Sequence, residues 1–449
     1  MPNARLALAA LALAALAAAA LAWKGDKVYE KILYLRYGTP LPAPHGPAPH
    51  DAAEARLEDL EMLAALPDVD RSFSANAGAA FERQVARLRE RAASLDDAGF
   101  FLGVVQAVAL SANAHTNVDL VSWREKLAAI PVRLAWFPEG LFVIRARSGE
   151  EGLLGARVLA IDGFDPAALE SPAVLHALHP EASADRMALE VRDRTGAERE
   201  VELAALAPSQ APRAEKPGRL RSPVPLPDEA PGTWHALLDG RAIPPSLRGP
   251  DHVTHSAVLA GGRTLYLHLW QVRDGPHERI ATRIDRALGG ADDPKWRRIV
   301  LDLRSDAGGD YPTVYRAIRA LPRRLAPDGR LDILTDDTTF SAAIITAVLA
   351  KHFVGPRAAV IGSAVGDRLE FWAEGTPATL PNSGIRIGVS TGYHDWAHGC
   401  RRLACWWPDF YYDVAGGDLE PSIRVRWTFA DYERGVDTVL DRALTKGNA

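Results

Sequence analysis

Two loops in the second half of the 449-residue chain combine small residues with side chains that can support acyl-transfer chemistry. Residues 301–310 read Leu-Asp-Leu-Arg-Ser-Asp-Ala-Gly-Gly-Asp, and the paired Gly308 and Gly309 leave backbone N–H groups open to an anion, as an oxyanion hole requires. Residues 336–343 lead from a strand into a helix and place Ser341 at the helix N-terminus, where developing negative charge is stabilised. Each loop also has an ordinary interpretation, because paired glycines often form a tight turn and a serine here often caps the helix.

The segments around these loops alternate between strand and helix patterns from residue 253 to residue 449. Such alternation predicts an α/β fold in which crossover βα units surround a mostly parallel sheet. Ligands and catalytic groups gather at the carboxyl ends of parallel strands, and both loops follow predicted strands. The predicted strands are Thr264–Trp270, Arg298–Leu303, Leu331–Leu334, Ala358–Ile361 and Ile385–Val389, and the predicted helices are His277–Leu288, Tyr311–Leu321 and Ser341–His352.

Three segments precede this core. Residues 51–130 are predicted to form a small helical domain, because apolar residues such as Leu57 and Leu60 recur at helical spacing. Residues 131–206 are predicted to form a β-rich module with one short helix near residues 166–169. Residues 207–252 are rich in Pro, Arg and Gly, and they form either a long linker or an irregular strap across the surface. The strands of the module are expected at Val132–Trp136, Leu141–Ala146, Arg157–Ile161, Met187–Val191 and Glu198–Leu203.

The loops at residues 301–310 and 336–343 resemble those of the tail-specific, or carboxy-terminal processing, serine proteases. In that family a strand with the pattern Asp-Leu-Arg-x-x-x-Gly-Gly precedes a strand-to-helix turn that carries the nucleophilic serine. Residues 302–309 and the run Phe-Ser-Ala-Ala at 340–343 match in kind, order and spacing. The resemblance implies that Ser341 is the nucleophile and that the N–H groups of Gly308, Gly309 and Ala342 stabilise the oxyanion.

The β-rich module looks like the PDZ domain that this family carries before its core. The resemblance rests on Gly-Leu-Phe-Val at 140–143 and on Gly-Ala-Arg-Val-Leu-Ala-Ile-Asp-Gly at 155–163. It implies that an extended peptide adds to the strand after the loop of Gly140, Leu141 and Phe142, whose N–H groups hold the peptide's terminal carboxylate. The expected partner is therefore a polypeptide substrate or a peptide tail.

The general base departs from the commonest pattern of the family. The processing proteases activate serine with a lysine, whose position falls on Asp367 or Arg368 here, and arginine stays protonated and cannot accept a proton. A second branch, similar to the tricorn core protease, uses a histidine shortly before its PDZ domain. His115 occupies that position in chain order, so we expect it to be the base.

A third catalytic residue must orient the imidazole of His115. Three acids lie in loops after the nucleophile, and the sequence does not separate them: Asp367, Glu370 and Asp395. We take Asp367 as the prediction. Without the family resemblance, the better interpretation of His115 itself would be a structural histidine at a helix end.

Only two cysteines occur, Cys400 and Cys405, and a close pair in an oxidising compartment more often forms one local disulfide than two free thiols. A zinc site formed by the two cysteines with His394 and His398 is the alternative, but the spacing is not a regular structural-zinc pattern. We therefore expect a disulfide and no metal or other cofactor. The aromatic residues around these positions are expected to form a local core under a loop.

The N-terminus has the layout of an export signal, with Arg5, an uncharged run from Leu6 to Leu21 and a charged segment from Lys24. Residues 1–22 are predicted to be a cleaved signal peptide or an uncleaved membrane anchor, and residues 23–50 a Pro-rich tether. The protein is therefore expected to be exported, either to the periplasm or as an inner-membrane protein that faces it. The net charge of −5, with arginines scattered among acids, argues against a nucleic-acid partner.

The sequence thus predicts a serine-type endopeptidase that acts on exported polypeptides. The alternative is a catalytically inactive protein that uses the same scaffold to bind peptides or ligands, much as the interphotoreceptor retinoid-binding proteins reuse this core. The missing lysine favours that alternative, since a fold by itself does not decide function.

Overall fold

A computed structural model of the protein describes residues 31–44, 46–119, 128–164, 182–210, 217–227, 229–250, 252–259, 261–290 and 295–445. The predicted signal or anchor at residues 1–22 and the short helix predicted near residues 166–169 lie outside these ranges. No helix within them is long and apolar enough to cross a membrane.

Residues 31–37 form a short helix that packs against the folded body. The side chains of Tyr37 and Leu41 are buried. Tyr37 Oη donates a hydrogen bond of 2.6 Å to the carbonyl oxygen of Cys405, and Thr391 Oγ1 donates one of 2.6 Å to the carbonyl oxygen of Tyr37. This part of the predicted tether therefore lies on the protein surface, because burial of an aromatic ring and a leucine outweighs the Pro-rich composition around them.

Four helices follow: α1 (Ala52–Ala64), α2 (Leu66–Val69), α3 (Ala75–Arg91) and α4 (Asp97–Ala109). The side chains of Asp51, Ser74 and Asp96 accept hydrogen bonds from backbone N–H groups in the first turns of α1, α3 and α4, so each of these helices begins at an N-cap. Their buried residues share one core with residues 378–389 of the second half. The helical unit is therefore packed on the second half.

The β-rich module is an antiparallel sheet of β1 (Val132–Phe137), β2 (Gly140–Arg147), β3 (Arg157–Ile161), β4 (Arg186–Arg192) and β5 (Glu198–Ala204), in that spatial order. Each strand lies within one residue of its predicted bounds. Alternating apolar side chains from these strands, such as Val143, Val158 and Leu189, form a separate core.

Residues 217–250 form a strap across the surface, which decides between the two interpretations of this segment. The strap contains α5 (Pro217–Arg221) and β6 (Trp234–Ala236), and β6 pairs with β2. Arg145 of β2 and Glu229 of the strap form a buried ion pair of 2.5 Å. Leu238 of the strap packs in one cluster with Phe142 and Tyr432, so the strap joins the β-rich module to the C-terminal region.

The described residues of the second half form ten strands. They are β7 (Thr254–Leu259), β8 (Thr264–Leu269), β9 (Trp296–Asp302), β10 (Leu325–Thr335), β11 (Ala358–Gly362), β12 (Glu370–Glu374), β13 (Ala378–Thr379), β14 (Arg386–Ile387), β15 (Ser390–Asp395) and β16 (Ile423–Arg424). Six of them form the central sheet in the order β16-β11-β10-β9-β8-β7. All its neighbouring pairs are parallel except β7 with β8, which confirms the prediction of a mostly parallel sheet.

Helices cover both faces of the central sheet. One face packs against α6 (Ile280–Leu288), α7 (Pro312–Arg324) and α8 (Ala342–Val354), which supply the largest core of the molecule. The other face, with Tyr266 and Val300, packs against α11 (Thr438–Thr445). Between these elements the chain forms two short helices, α9 (Trp407–Tyr412) and α10 (Phe429–Glu433).

The predicted strand Ile385–Val389 is not part of the central sheet. Its residues form β14, which pairs with β13, and Ile385, Ile387 and Val389 are buried in the core of the helical unit. A short apolar run predicts a buried strand without indicating which core buries it, so the sequence could not separate the two locations. The antiparallel pairing of β12 with β15 was not predicted.

Candidate active site

The turn before α8 places Ser341 in a strained backbone conformation. Its φ and ψ angles are 54° and −123°, a region that residues other than glycine rarely adopt and that is found at functional sites. The Ser341 side chain makes no capping hydrogen bond to the helix. Ser341 therefore occupies the N-cap position, but its side chain does not act as a cap.

Buried polar groups hold this turn against the glycine loop. Phe340 N donates to the carbonyl oxygen of Asp306 at 3.0 Å, and Thr339 Oγ1 donates to the carbonyl oxygen of Leu303 at 2.9 Å. Asp306 is fully buried, and its Oδ1 accepts a hydrogen bond of 2.8 Å from Gly308 N. Asp306 therefore fixes both the nucleophile turn and the glycine loop.

The two glycines have different roles. A Cβ atom on Gly308 would lie 2.6 Å from Ser341 Cβ, so only glycine allows the loop to approach the nucleophile this closely. Because its N–H is bonded to Asp306, Gly308 is not free to bind an oxyanion, which contradicts its predicted donor role. Within the described residues, two other N–H groups of these loops have no hydrogen-bond acceptor. They belong to Gly309 and to Ala342, the first residue of α8.

His115 lies beside the nucleophile turn. Its ring stacks on Phe340, the residue before Ser341, with the ring centroids 4.4 Å apart, and on Phe371 of β12 at 4.7 Å. His115 Nδ1 lies 3.6 Å from Asp367 Oδ2, and the side chains are 13% and 8% exposed. Neither ring nitrogen makes a hydrogen bond to the residues that the structure describes. The structure thus places the predicted base next to the predicted carboxylate, at a separation longer than a hydrogen bond.

The loop that carries His115 is braced by a buried polar network. Asp70 Oδ2 accepts hydrogen bonds of 2.7 Å from Thr116 Oγ1 and from Ser390 N. Asn113 Nδ2 donates to the carbonyl oxygen of Trp372 at 2.9 Å, and Asn113 Oδ1 accepts from Trp372 N at 3.2 Å. These bonds tie the loop to β12 and β15, which is why a histidine distant in sequence from Ser341 has a fixed position.

Arg368, one of the two residues on which the expected lysine position falls, has a structural role. Its Nη2 donates a hydrogen bond of 3.0 Å to the carbonyl oxygen of Ala112, in the His115 loop. Gly366 N donates to the carbonyl oxygen of Thr339 at 2.9 Å. The segment with Asp367 is therefore attached to the nucleophile turn on one side and to the histidine loop on the other.

The other two candidate acids face away from His115. Glu370 Oε1 and Asp395 Oδ1 lie 3.5 Å and 3.2 Å from Nδ1 of His398. These three side chains form the one group of potential metal ligands in the described part of the chain. Glu370 and Asp395 therefore lie beside His398, whereas Asp367 lies 3.6 Å from His115.

The motif residues Asp302 and Arg304 form a buried support for the sheet. Arg304 bonds to Asp302 at 2.5 Å and to Asp437, before α11, at 2.8 Å. Burial raises the pKa of Asp302, but Arg304, His268 and the Tyr266 hydroxyl together outweigh burial and hold that pKa below its ordinary value. This part of the motif fixes the glycine loop and does not reach the nucleophile turn.

His394 is a buried histidine whose role the sequence did not indicate. It stacks on the face of Phe371 opposite His115, with the centroids 4.7 Å apart. Its Nδ1 lies 3.0 Å from Asp409 Oδ2, and Asp409 also accepts a hydrogen bond of 2.9 Å from Tyr311 Oη. Burial lowers the pKa of His394, but the carboxylates of Asp409 and Glu374 outweigh burial and raise it to about 9. The nearby aromatic residues Tyr393 and Trp396 were the one sequence feature that indicated a buried position for His394.

Cys400 and Cys405 form a disulfide, as predicted. The alternative zinc site is wrong, because the thiolates are not available and His394 is paired with Asp409 inside the protein.

The predicted peptide-docking loop has no free edge. Leu141 and Phe142 lie in β2, which pairs with β1 on one side and with β3 on the other. Both side chains are buried, and the Phe142 ring stacks on Phe429 at 3.7 Å. Gly140 follows the hairpin turn between β1 and β2. The structure therefore contradicts the assignment of Gly140, Leu141 and Phe142 to peptide binding, since their backbone groups are used within the sheet.

The fold is shared with solved structures of CPAF. The structure of mature CPAF complexed with lactacystin is 13% identical to this chain, with 87% of this chain and 98% of CPAF covered and a TM-score of 0.52. A CPAF mutant is 11% identical, with 87% and 96% covered and a TM-score of 0.53. The photosystem II D1 C-terminal processing protease covers 83% of this chain and 92% of its own length at 12% identity, but its TM-score is only 0.35.

No protein-family model and no curated protein matches the chain by sequence. The likeness to CPAF shows the fold alone. The catalytic assignment therefore rests on the geometry of the site.

Proposed function

We propose that this chain is a serine-type peptidase that cleaves exported polypeptides. The observation that supports the proposal is the contact of the His115 ring with Phe340 of the nucleophile turn, with Asp367 Oδ2 3.6 Å from Nδ1 of the same ring. His115, Ser341 and Asp367 come from three separate segments, and the residues around them bond these segments to one another. A purely structural histidine would not require a strained, uncapped serine beside it.

In the proposed reaction, Ser341 Oγ attacks the carbonyl carbon of the scissile bond and its proton passes to His115 Nε2. Asp367, on the Nδ1 side of the ring, stabilises the imidazolium that forms. The N–H groups of Gly309 and Ala342 donate hydrogen bonds to the oxyanion. His115 then gives the proton to the leaving amine, and a water molecule hydrolyses the acyl-enzyme by the same route.

Two features support an exported setting. The disulfide between Cys400 and Cys405 is typical of oxidising compartments. Residues 1–22 have the sequence of an export segment. Polypeptides of the same compartment are therefore the proposed substrates, and an unfolded chain is the form best able to reach a serine in a loop.

The test is cleavage of an unfolded polypeptide by the purified protein and by the variants Ser341→Ala, His115→Asn and Asp367→Asn. We expect Ser341→Ala and His115→Asn to lower kcat/KM by at least about 10³-fold, as for other triads. Asp337→Asn, which changes an exposed acid in the nucleophile turn, is the matched control and should retain activity. Equal cleavage by Ser341→Ala and the wild-type protein would rule out the proposal.

One observation favours the binding-scaffold alternative. His115 Nδ1 and Asp367 Oδ2 are 3.6 Å apart, and His115 Nε2 has no hydrogen-bond partner among the described residues. A ring nitrogen without a partner is expected of a scaffold that binds without cleaving, whereas in a peptidase the catalytic hydrogen bonds shorten when substrate binds. Tight binding of a peptide by a protein that never cleaves it would establish the alternative.

A further inference from the structure

Apart from Leu57, Trp136 and Val258, the exposed large hydrophobic side chains in the described part of the chain lie in one region. They belong to the helix at residues 31–37 and to the loop and helix at residues 403–411, and we call them the aromatic face: Tyr34, Leu35, Leu403, Trp407, Phe410 and Tyr411. Leu35, Leu403 and Tyr411 are 74%, 89% and 81% exposed. Scattered single apolar residues are normal on a surface, but a cluster of this kind indicates an interaction site.

Direct contacts join the two segments into one surface. The Arg36 guanidinium lies over the Trp407 ring at 4.8 Å and donates a hydrogen bond to the carbonyl oxygen of Leu403. The Tyr37 ring packs edge-on against Trp406, with the centroids 4.7 Å apart. The disulfide between Cys400 and Cys405 closes the loop that carries Leu403. The aromatic face is therefore a preformed part of the fold.

Charge and chain position indicate what covers this face. Lys31, Arg36 and Arg402 lie around it, while Arg401 is paired with Asp413. Aromatic and leucine side chains with flanking cations are the composition that binds the headgroup region of a bilayer. The helix at residues 31–37, which carries part of the face, follows the apolar run Leu6–Leu21 after nine residues, a reach of at most about 35 Å.

We propose that the aromatic face docks on the surface of an anionic lipid bilayer. An N-terminal segment in the membrane would hold residues 31–37 at the bilayer surface, and the face would then orient the folded body. Asp409 lies on the buried side of α9, the helix that also carries Trp407, Phe410 and Tyr411. It pairs with His394, whose ring stacks on Phe371. Docking would thus place the candidate active site close to the membrane, where exported chains emerge.

The test is sedimentation of the protein with vesicles of phosphatidylglycerol and phosphatidylethanolamine. A chain that begins at residue 23 removes the apolar run, and it retains every buried cluster of the described residues. We expect this chain to bind the vesicles, and the double variant Leu403→Ser, Tyr411→Ser to bind at least about tenfold more weakly. Val258→Ser changes an apolar side chain that is 59% exposed elsewhere and is the matched control, which should bind like the wild-type chain.

Three outcomes would overturn the proposal. They are no vesicle binding by the chain that begins at residue 23, equal loss in the Val258→Ser control, and unchanged binding by the double variant. Self-association without lipid that the double variant abolishes would assign the face to a second copy of the chain instead. Circular dichroism and the Tm of the double variant, whose changed residues are exposed, establish that it is folded.

Discussion

At the residue scale, the site depends on two glycines, whose lack of a side chain lets backbone segments approach each other closely, and on a serine with an unusual backbone conformation. Gly308 lies against Ser341, Gly309 lies against the carbonyl group of Val272, and Ser341 adopts a positive φ angle. The sequence identified all three residues, because glycines after a strand and a serine before a helix form a recognisable pattern. It could not separate the two glycines, since only the structure shows that the N–H of Gly308 is bonded to Asp306.

The variant Gly308→Ala tests this close approach. Its Cβ would lie 2.6 Å from Ser341 Cβ at a φ of 101°, so we expect the nucleophile turn to shift and kcat to fall by about 100-fold or more. Gly355→Ala is the control, because Gly355 also has a positive φ but nothing lies within 4 Å of its added Cβ. It should cost about 1 kcal/mol of stability without loss of activity. Equal activity of Gly308→Ala and the wild-type protein would contradict the geometry of the site.

The raised pKa of His394 predicts that the stability of the folded protein depends on pH. Its pKa is raised to about 9 in the folded protein from an ordinary value near 6.5. The stabilising contribution is therefore fully present below pH 6.5 and is lost as the pH rises through about 9. We expect the urea midpoint of the wild-type protein to fall between pH 6.5 and 9.5, and that of His394→Gln to fall less. The same decrease in both proteins would show that His394 is not the group responsible.

At the element scale, β12 and β15 connect the parts of the site. Phe371 of β12 separates His115 from His394 of β15, and Asn113 joins the histidine loop to the backbone of Trp372 in β12. The sequence predicted the elements of the central sheet because their alternation is regular. It missed this strand pair, since the β12 residues Glu370–Glu374 and the aromatic residues of β15 do not show a clear strand period.

The variant Asn113→Ala tests the connection between the histidine loop and β12. It removes two hydrogen bonds to the Trp372 backbone, so we expect a loss of a few kcal/mol in stability and a fall in kcat with little change in KM. Asn117→Ala is the control, because the Asn117 side chain is exposed and bonds only within its own loop. Calorimetry and steady-state kinetics measure both effects. An Asn113→Ala protein with wild-type kcat would show that the network does not position His115.

At the scale of the whole molecule, the fold brings together segments that are far apart in the chain. The helical unit shares its core with residues 378–389, and the strap packs against the β-rich module and the C-terminal region. The sequence predicted the order of the segments and the bounds of most strands. It could not predict how the segments pack on one another, because periodicity shows which face of an element is buried and not what buries it.

The loop that was predicted to bind peptides shows the same limit of prediction from sequence patterns. The run Gly-Leu-Phe at 140–142 matched a motif, but the pairing of β2 on both sides is a property of the sheet and not of the run. The aromatic residues near the disulfide were expected to form a local core. Trp396 is instead buried in the main core between the central sheet and its helices, and Tyr411 remains exposed.

The most direct measurement is labelling of the protein by a serine-directed fluorophosphonate, followed by mass spectrometry of the modified peptide. The account predicts a single adduct on Ser341, with labelling at least about 100-fold slower in His115→Asn because the hydroxyl then lacks its base. His277→Asn, which changes an exposed histidine, should label at the wild-type rate. No adduct on Ser341 in the folded wild-type protein, or equal labelling of His115→Asn, would contradict the proposed catalytic site and favour a binding protein on the same scaffold.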